Sequence, residues 1–246
     1  MPSKTTGARV TGKRHAIRYA QTQLFFNSRG IIADSNPLTA TMYQDALLAS
    51  RRDEAEKQKI LPMLDLRSDD RVLDLGCGAG RWAEAIAPRV ADYLGIDFSE
   101  SLLEAARGHV PRGVFQQMPV NALNPAEFCI APPFSLFVCS GILAYLNDTD
   151  VLRLFDIISR IAAAESRIYL REPVAKIERL TLDEYWSDEL KSSYSAIYRT
   201  RAEYADMFRS LTNFRLRTET APFDAELQNR VETEQRCFLL ERRSAQ

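Results

Sequence analysis

The run from Arg71 to Gly80, Arg-Val-Leu-Asp-Leu-Gly-Cys-Gly-Ala-Gly, constrains this chain more than any other stretch. A short apolar strand drives straight into three glycines at every second position, Gly76, Gly78 and Gly80. Glycine lets a backbone turn that sharply and lets another molecule lie against the peptide planes. Helical spacing follows in Trp82, Ala83, Ile86 and Ala87, so the loop sits at a strand-to-helix turn. Bare amides at such a turn form a binding site. Asp97 lies 17 residues past Gly80, at the end of a second strand, Gly95-Ile96-Asp97. An acid in that place accepts both hydroxyls of a ribose.

The alternation continues along the chain. Strands are expected at 72–75, 93–96, 113–117, 135–139 and 167–170, with helical pattern at 81–87, 99–107 and from 148 onward, where Val151, Phe155, Ile158 and Ala162 recur. Thr200-x-x-Glu203 reads as a capping box opening a further helix, and the runs 214–218 and 236–241 would supply the last strands. Alternating strands and helices predict an α/β fold: a doubly wound, mostly parallel sheet with helices on both faces. Residues 15–65 read as an N-terminal helical cover, with helical pattern from Leu38 to Leu64. Residues 1–14 read as a disordered basic tail, since residues 1–33 contain Lys4, Arg9, Lys13, Arg14, Arg18 and Arg29 but no acid. The main domain is expected over 66–246.

Segment 173–199 fits no regular step of this wind and is expected to be an insertion. It follows the fifth strand at the carboxyl edge of the sheet, where open α/β sheets bind ligands. It is therefore a candidate substrate cover, as is the N-terminal segment through Tyr43. Tyr194 and Tyr198 in this insertion, and Glu172 at the strand exit, are the candidate catalytic side chains. Each is of a type able to orient or deprotonate an acceptor.

The 246 residues, 46% of them apolar, suffice for one core of this kind, and a net charge of −1 calls for neither nucleic acid nor a membrane surface as partner. Four cysteines without paired spacing read as reduced thiols in a cytoplasmic protein. Two histidines and no cysteine cluster argue against a metal centre. The oligomeric state is not legible.

The spacing of the glycines discriminates between nucleotide ligands. A dinucleotide fingerprint needs a small residue where this chain has Arg81. The loop is instead G-x-G-x-G, preceded by Asp74, and Val72-Leu73-Asp74-Leu75-Gly76-Cys77-Gly78-Ala79-Gly80 closely resembles the first motif of the class I S-adenosylmethionine (SAM)-dependent methyltransferases. The likeness extends through Asp97 to the strand near Val138, and the segment Cys139–Asn147 resembles the family's V-x-S-x-x-L-x-Y-L stretch beneath the transferable methyl.

The resemblance implies seven strands with the last antiparallel, and SAM as the bound cofactor. It places Gly76, Gly78 and Gly80 against the amino-acid and ribose portion, Asp74 near the ammonium, and Asp97 on the ribose. Phe98 is expected either on an adenine face or in the core, and Ser140 near the sulfonium. After the third strand the family often has an acid before Ala-Leu; here Asn121 stands there, which keeps an acceptor oxygen but removes the charge. For the SAM carboxylate the candidates are Arg52, Arg81 and Arg29, with Arg52 favoured as part of the cover. The expected activity is methylation of nitrogen or oxygen on a small polar metabolite by in-line displacement. The alternative is a SAM-consuming cyclase that closes the amino-acid tail to azetidine-2-carboxylate and releases methylthioadenosine.

Overall fold

The computed structural model describes residues 7–33, 38, 45–188 and 190–243. Residues 1–6 of the expected tail and Tyr43 of the expected cover lie outside them. The sheet that carries the site has seven strands: β2 (Arg71–Leu75), β3 (Asp92–Asp97), β4 (Val114–Gln117), β5 (Phe134–Ser140), β6 (Ala162–Ala175), β9 (Phe214–Thr220) and β10 (Thr233–Arg242). Their spatial order is β4-β3-β2-β5-β6-β10-β9. All pairings are parallel except those of β10, which runs antiparallel to both β6 and β9. The order reverses at β2, whose neighbours are β3 and β5.

Alternation along β2 explains the layers. Leu73 and Leu75 face a core completed by Val151, Leu154, Phe155 and Ile158 of α5 (Asp148–Ile161). Val72 faces the opposite side, against Ile60 and Leu64 of α2 (Ala46–Leu64) and Leu103 of α4 (Glu100–His109). Every second side chain of a strand points to one face, so a strand this apolar is buried on both. The helix after the glycine loop is short, α3 (Ala83–Ile86), continued by a 3₁₀ turn over Ala87–Arg89. The capping box expected at Thr200 opens α6 (Arg201–Phe208), with the Glu203 amide donating to Thr200 Oγ1 at 3.2 Å and the Thr200 amide to Glu203 Oε2 at 2.9 Å.

Two expectations change. Residues 8–11, read as part of a disordered tail, form β1 (Ala8–Thr11), which pairs antiparallel with β7 (Leu180–Ser187). The 173–199 segment is not a freestanding insertion from its first residue. β6 continues through Ala175, and β7 and β8 (Ser192–Tyr198) then make a second, three-stranded sheet of order β1-β7-β8. The N-terminal cover is helical over α1 (Tyr19–Ala33) and α2. Ile17 and Tyr19 fasten its start to the main domain: the Ile17 amide donates to Asn147 Oδ1 at 2.8 Å, and Tyr19 Oη accepts from the Asn147 amide at 2.8 Å. Among the described residues no helix is long and apolar enough to cross a membrane.

Candidate active site

A cleft of about 360 Å³ opens at the carboxyl ends of β2 and β5, where the strand order reverses. Open α/β sheets bind ligands in that crevice. Gly76, Cys77 and Gly78 line it. The Gly76 and Cys77 amides both donate to the Ile96 carbonyl, at 2.7 and 3.1 Å, so the loop folds back over the end of β3. Gly76 has φ +74°, and a Cβ there would meet Ile142 Cδ1 at 2.8 Å. Both facts demand glycine. Gly80 departs from its expected place against a ligand. It does not line the cleft, and its bare Cα faces Ala106 of α4, 3.2 Å from a Cβ built on it. Its smallness lets α4 approach the loop.

Asp97 sits at the end of β3 and lines the cleft. Its Oδ2 accepts from the Gly78 amide at 3.0 Å and its Oδ1 from the Ser99 amide at 2.9 Å. The same carboxylate therefore holds the glycine loop and keeps further lone pairs for a ligand. Burial raises its pKa to about 6 against the pull of these amides. Asp74 also lines the cleft; burial raises it to about 7, although the Tyr93 hydroxyl donates to it. Phe98 and Asn121 also line the cleft, and the Phe98 ring meets Phe26 of α1 edge-on at 6.2 Å between centroids.

Arginine chemistry is distributed differently from the expectation. Arg52 lines the cleft, but its Nε donates to the Leu227 carbonyl at 2.8 Å and its Nη2 to Asn229 Oδ1 at 2.7 Å. It ties the β9–β10 connection to α2. Arg81, the first residue after Gly80, reaches across the cleft and donates to Ser140 Oγ at 2.8 Å, Asp53 Oδ1 at 2.9 Å and Glu56 Oε2 at 3.0 Å. Burial works against its charge, but Glu56 and Asp53 outweigh that and push its pKa above the ordinary range. Glu56 is 1% exposed; burial would raise its pKa, yet Arg81, Arg171 and the Tyr169 hydroxyl hold it below the usual range. Glu56 and Asp53 were not legible as site residues. Glu56 had one signal, its position: with Arg52 it falls on the buried stripe Ala49, Ile60, Leu64 of α2.

The other wall is aromatic. Tyr145, Tyr194 and Tyr198 line the cleft, and the Tyr194 and Tyr198 hydroxyls lie 3.3 Å apart. Phe26 meets Tyr145 edge-on at 4.9 Å, and Phe25 approaches Tyr194 at 6.4 Å, so α1 closes over both aromatic sides. Burial holds the Tyr198 hydroxyl neutral by raising its pKa.

Glu172, the third candidate catalytic residue, is not in this wall. It is 0% exposed, and its two oxygens accept the Leu143 and Ala144 amides at 2.9 and 3.1 Å. It does not line the cleft, so it is out of reach of a substrate bound there. From the other side Arg199, also 0% exposed, donates to the Leu143 and Leu146 carbonyls at 2.7 and 2.6 Å and to Asp148 Oδ1 at 2.9 Å. The pair grips the 3₁₀ turn Leu143–Tyr145, flanked by Ile142 against Gly76 and carrying Tyr145 into the cleft.

Comparison with known proteins follows this geometry. A family model described as a methyltransferase domain matches residues 72–165. The chain is 30% identical over 154 residues to trans-aconitate 2-methyltransferase of Methylobacterium radiotolerans, covering 60% of this chain and 55% of that protein. It is 36% identical over 83 residues to a ubiquinone biosynthesis O-methyltransferase of Acinetobacter baylyi, covering 32% and 34% respectively. The chain thus spans about half or less of these relatives' length. Among solved structures, Haemonchus contortus phosphoethanolamine N-methyltransferase 1, in complex with phosphoethanolamine and S-adenosylhomocysteine, superposes with a TM-score of 0.68 at 18% identity, over 91% of this chain and 49% of that one.

Proposed function

The chain belongs to the class I SAM-dependent methyltransferases, and from that premise we propose that it transfers the methyl group of SAM to a nitrogen or oxygen of a small polar molecule. The observation that carries the reading is Asp97. It is a buried carboxylate at the end of β3, pinned by the Gly78 and Ser99 amides and exposed to the cleft where the strand order reverses. The geometry fits the ligand: Gly76 and Gly78 line the cleft beside Asp97, and Asp97 keeps acceptor capacity for two ribose hydroxyls. SAM supplies an activated methyl on a sulfonium. The chain's residues bind and orient. Asp97 takes the ribose, Phe98 and Asn121 flank the adenine, and Asp74 faces the ammonium. Gly76, Gly78 and Ser140 lie along the tail. Arg52 and Arg81 both line the cleft and supply the positive charge for the tail carboxylate.

Tyr194 and Tyr198 orient the acceptor from β8. With Glu172 outside the cleft, no base is assigned, and a neutral amine or an anionic oxygen reacts without one. Positioning and exclusion of water by α1 then supply most of the rate. The small-molecule acceptor is supported by the enclosing cover and by the acceptors in the relatives' names. The ring-closing alternative has no support among those relatives, all named as methyltransferases.

The test is incubation with SAM and a panel holding trans-aconitate, phosphoethanolamine, simple amines and catechols. Acceptor-dependent S-adenosylhomocysteine supports the reading. Methylthioadenosine formed without any acceptor contradicts it.

A further inference from the structure

Side chains from three parts of the chain converge on the tyrosine wall of the cleft. Tyr145 comes from the 3₁₀ turn Leu143–Tyr145, Tyr194 and Tyr198 from β8, and Arg230 from the exposed connection between β9 and β10. The Tyr194 and Tyr198 hydroxyls stand 3.3 Å apart, beyond the ordinary span of a hydroxyl–hydroxyl bond. At that spacing one ligand oxygen can accept from both. Burial keeps Tyr198 protonated; the Tyr194 and Tyr145 hydroxyls reinforce this and the Arg230 charge opposes it, so all three lie within electrostatic reach of the Tyr198 hydroxyl. No carboxylate is among the groups that act on it most strongly. Two acids on the neighbouring β9–β10 side of the cleft are engaged with other cations: Glu232 pairs with Arg9, and Glu234 accepts from Arg236 Nε at 2.8 Å. Protonated phenols beside a guanidinium present donors and positive charge, the pattern that holds an oxyanion. Leu180, Leu182 and Leu190, all buried, also line the cleft from the β7–β8 hairpin, so the rest of a molecule bound there meets apolar surface.

We propose that the methyl acceptor is an organic anion, a carboxylic acid or a phosphate monoester with a hydrocarbon body, whose oxyanion accepts from the Tyr194 and Tyr198 hydroxyls and pairs with Arg230. Tyr145, from the neighbouring turn, adds a third hydroxyl. The proposal rests on the reading of the cleft as a SAM site and narrows its small polar acceptor to one charge class. A free amine or a neutral alcohol lacks the group that this wall holds.

The test uses protein saturated with S-adenosylhomocysteine and probes that share one ring: benzoate, phenyl phosphate, benzyl alcohol and benzylamine. By calorimetry at least one anion should bind about tenfold or more tightly than the alcohol and the amine, as for a hydrogen bond to a charged group. Which anion binds separates a carboxylic acid from a phosphate ester. Arg230→Gln, which removes the charge, should lower affinity for that anion about tenfold, and Tyr198→Phe, which keeps the ring, about fivefold. S-adenosylhomocysteine affinity should stay within about twofold of wild type in both variants, which also reports that they fold. Anions bound no better than the alcohol or the amine overturn the proposal, and that comparison needs no variant. An anion preference that survives both substitutions also overturns it. So does an equal loss of S-adenosylhomocysteine affinity, which would put Arg230 and Tyr198 on the cofactor instead. Wild-type protein that does not bind S-adenosylhomocysteine refutes the SAM site itself, a result distinct from a missing anion preference in the loaded protein.

Discussion

Asp97 holds the glycine loop and faces the cleft at once, and its ionisation links the two. Its pKa is raised from the ordinary carboxylate range to about 6 by burial. Between about pH 4 and 6 the folded apo protein therefore binds more protons at this group than the unfolded chain does, and its contribution to stability declines as pH rises through that window. A ribose donating two hydroxyls selects the ionised form. S-adenosylhomocysteine affinity should accordingly weaken as pH falls through about 6, and Asp97→Asn should bind weakly and show less of this pH dependence than the wild type, keeping the part that belongs to Asp74, which burial raises to about 7. Calorimetry at pH 5 and pH 7.5 on both proteins checks this; a wild-type affinity independent of pH would detach Asp97 from the ligand. Asp97 was legible because a strand end at fixed spacing from a glycine loop puts any acid there in one place. The different partners of Arg52 and Arg81 were not, because both are arginines near the cleft. Only the fold shows that Arg52 holds the Leu227 carbonyl while Arg81 reaches Ser140.

The strands of the main sheet were legible as elements because buried parallel strands are short continuous apolar runs, as in Phe134–Ser140. β1 was not: Ala-Arg-Val-Thr has no apolar run, and it becomes a strand only because the edge of β7 offers it hydrogen bonds. The same limit applies to Glu172. The sequence places a carboxylate at the exit of a strand, but not the two amides that converge on it. Glu172→Gln keeps one acceptor and turns an NH₂ toward the other amide. It should destabilise the protein by about 1–3 kcal/mol, as for an unsatisfied buried group. Hydrogen exchange should quicken in the turn Leu143–Tyr145 and remain slow in β2. Unchanged protection of the turn would show that Arg199 alone holds it.

At the scale of the whole molecule, two sheets meet at one cleft. The seven-stranded sheet supplies the glycine loop and Asp97, and the smaller β1-β7-β8 sheet supplies Tyr194 and Tyr198. Arg199, adjoining Tyr198, reaches from the second sheet to the turn that carries Tyr145 and ties the two together. Removing residues 1–11 would uncover the edge of β7 and break the Arg9–Glu232 ion pair. The shortened chain should melt at lower temperature and aggregate more readily, yet still bind S-adenosylhomocysteine, because no residue assigned to the nucleoside lies in that segment. Loss of all binding on truncation would mean that β1 helps to shape the nucleoside site. We read the crevice at the switch point of the main sheet as a SAM site built on Asp97. The most direct measurement is calorimetric titration of S-adenosylhomocysteine into the wild-type protein and into Asp97→Ala at neutral pH. One site per chain is expected in the wild type, and an affinity lower by about tenfold to a hundredfold in the folded variant, the worth of a charge-assisted contact. No binding to the wild type, or equal affinity in the two proteins, would contradict it.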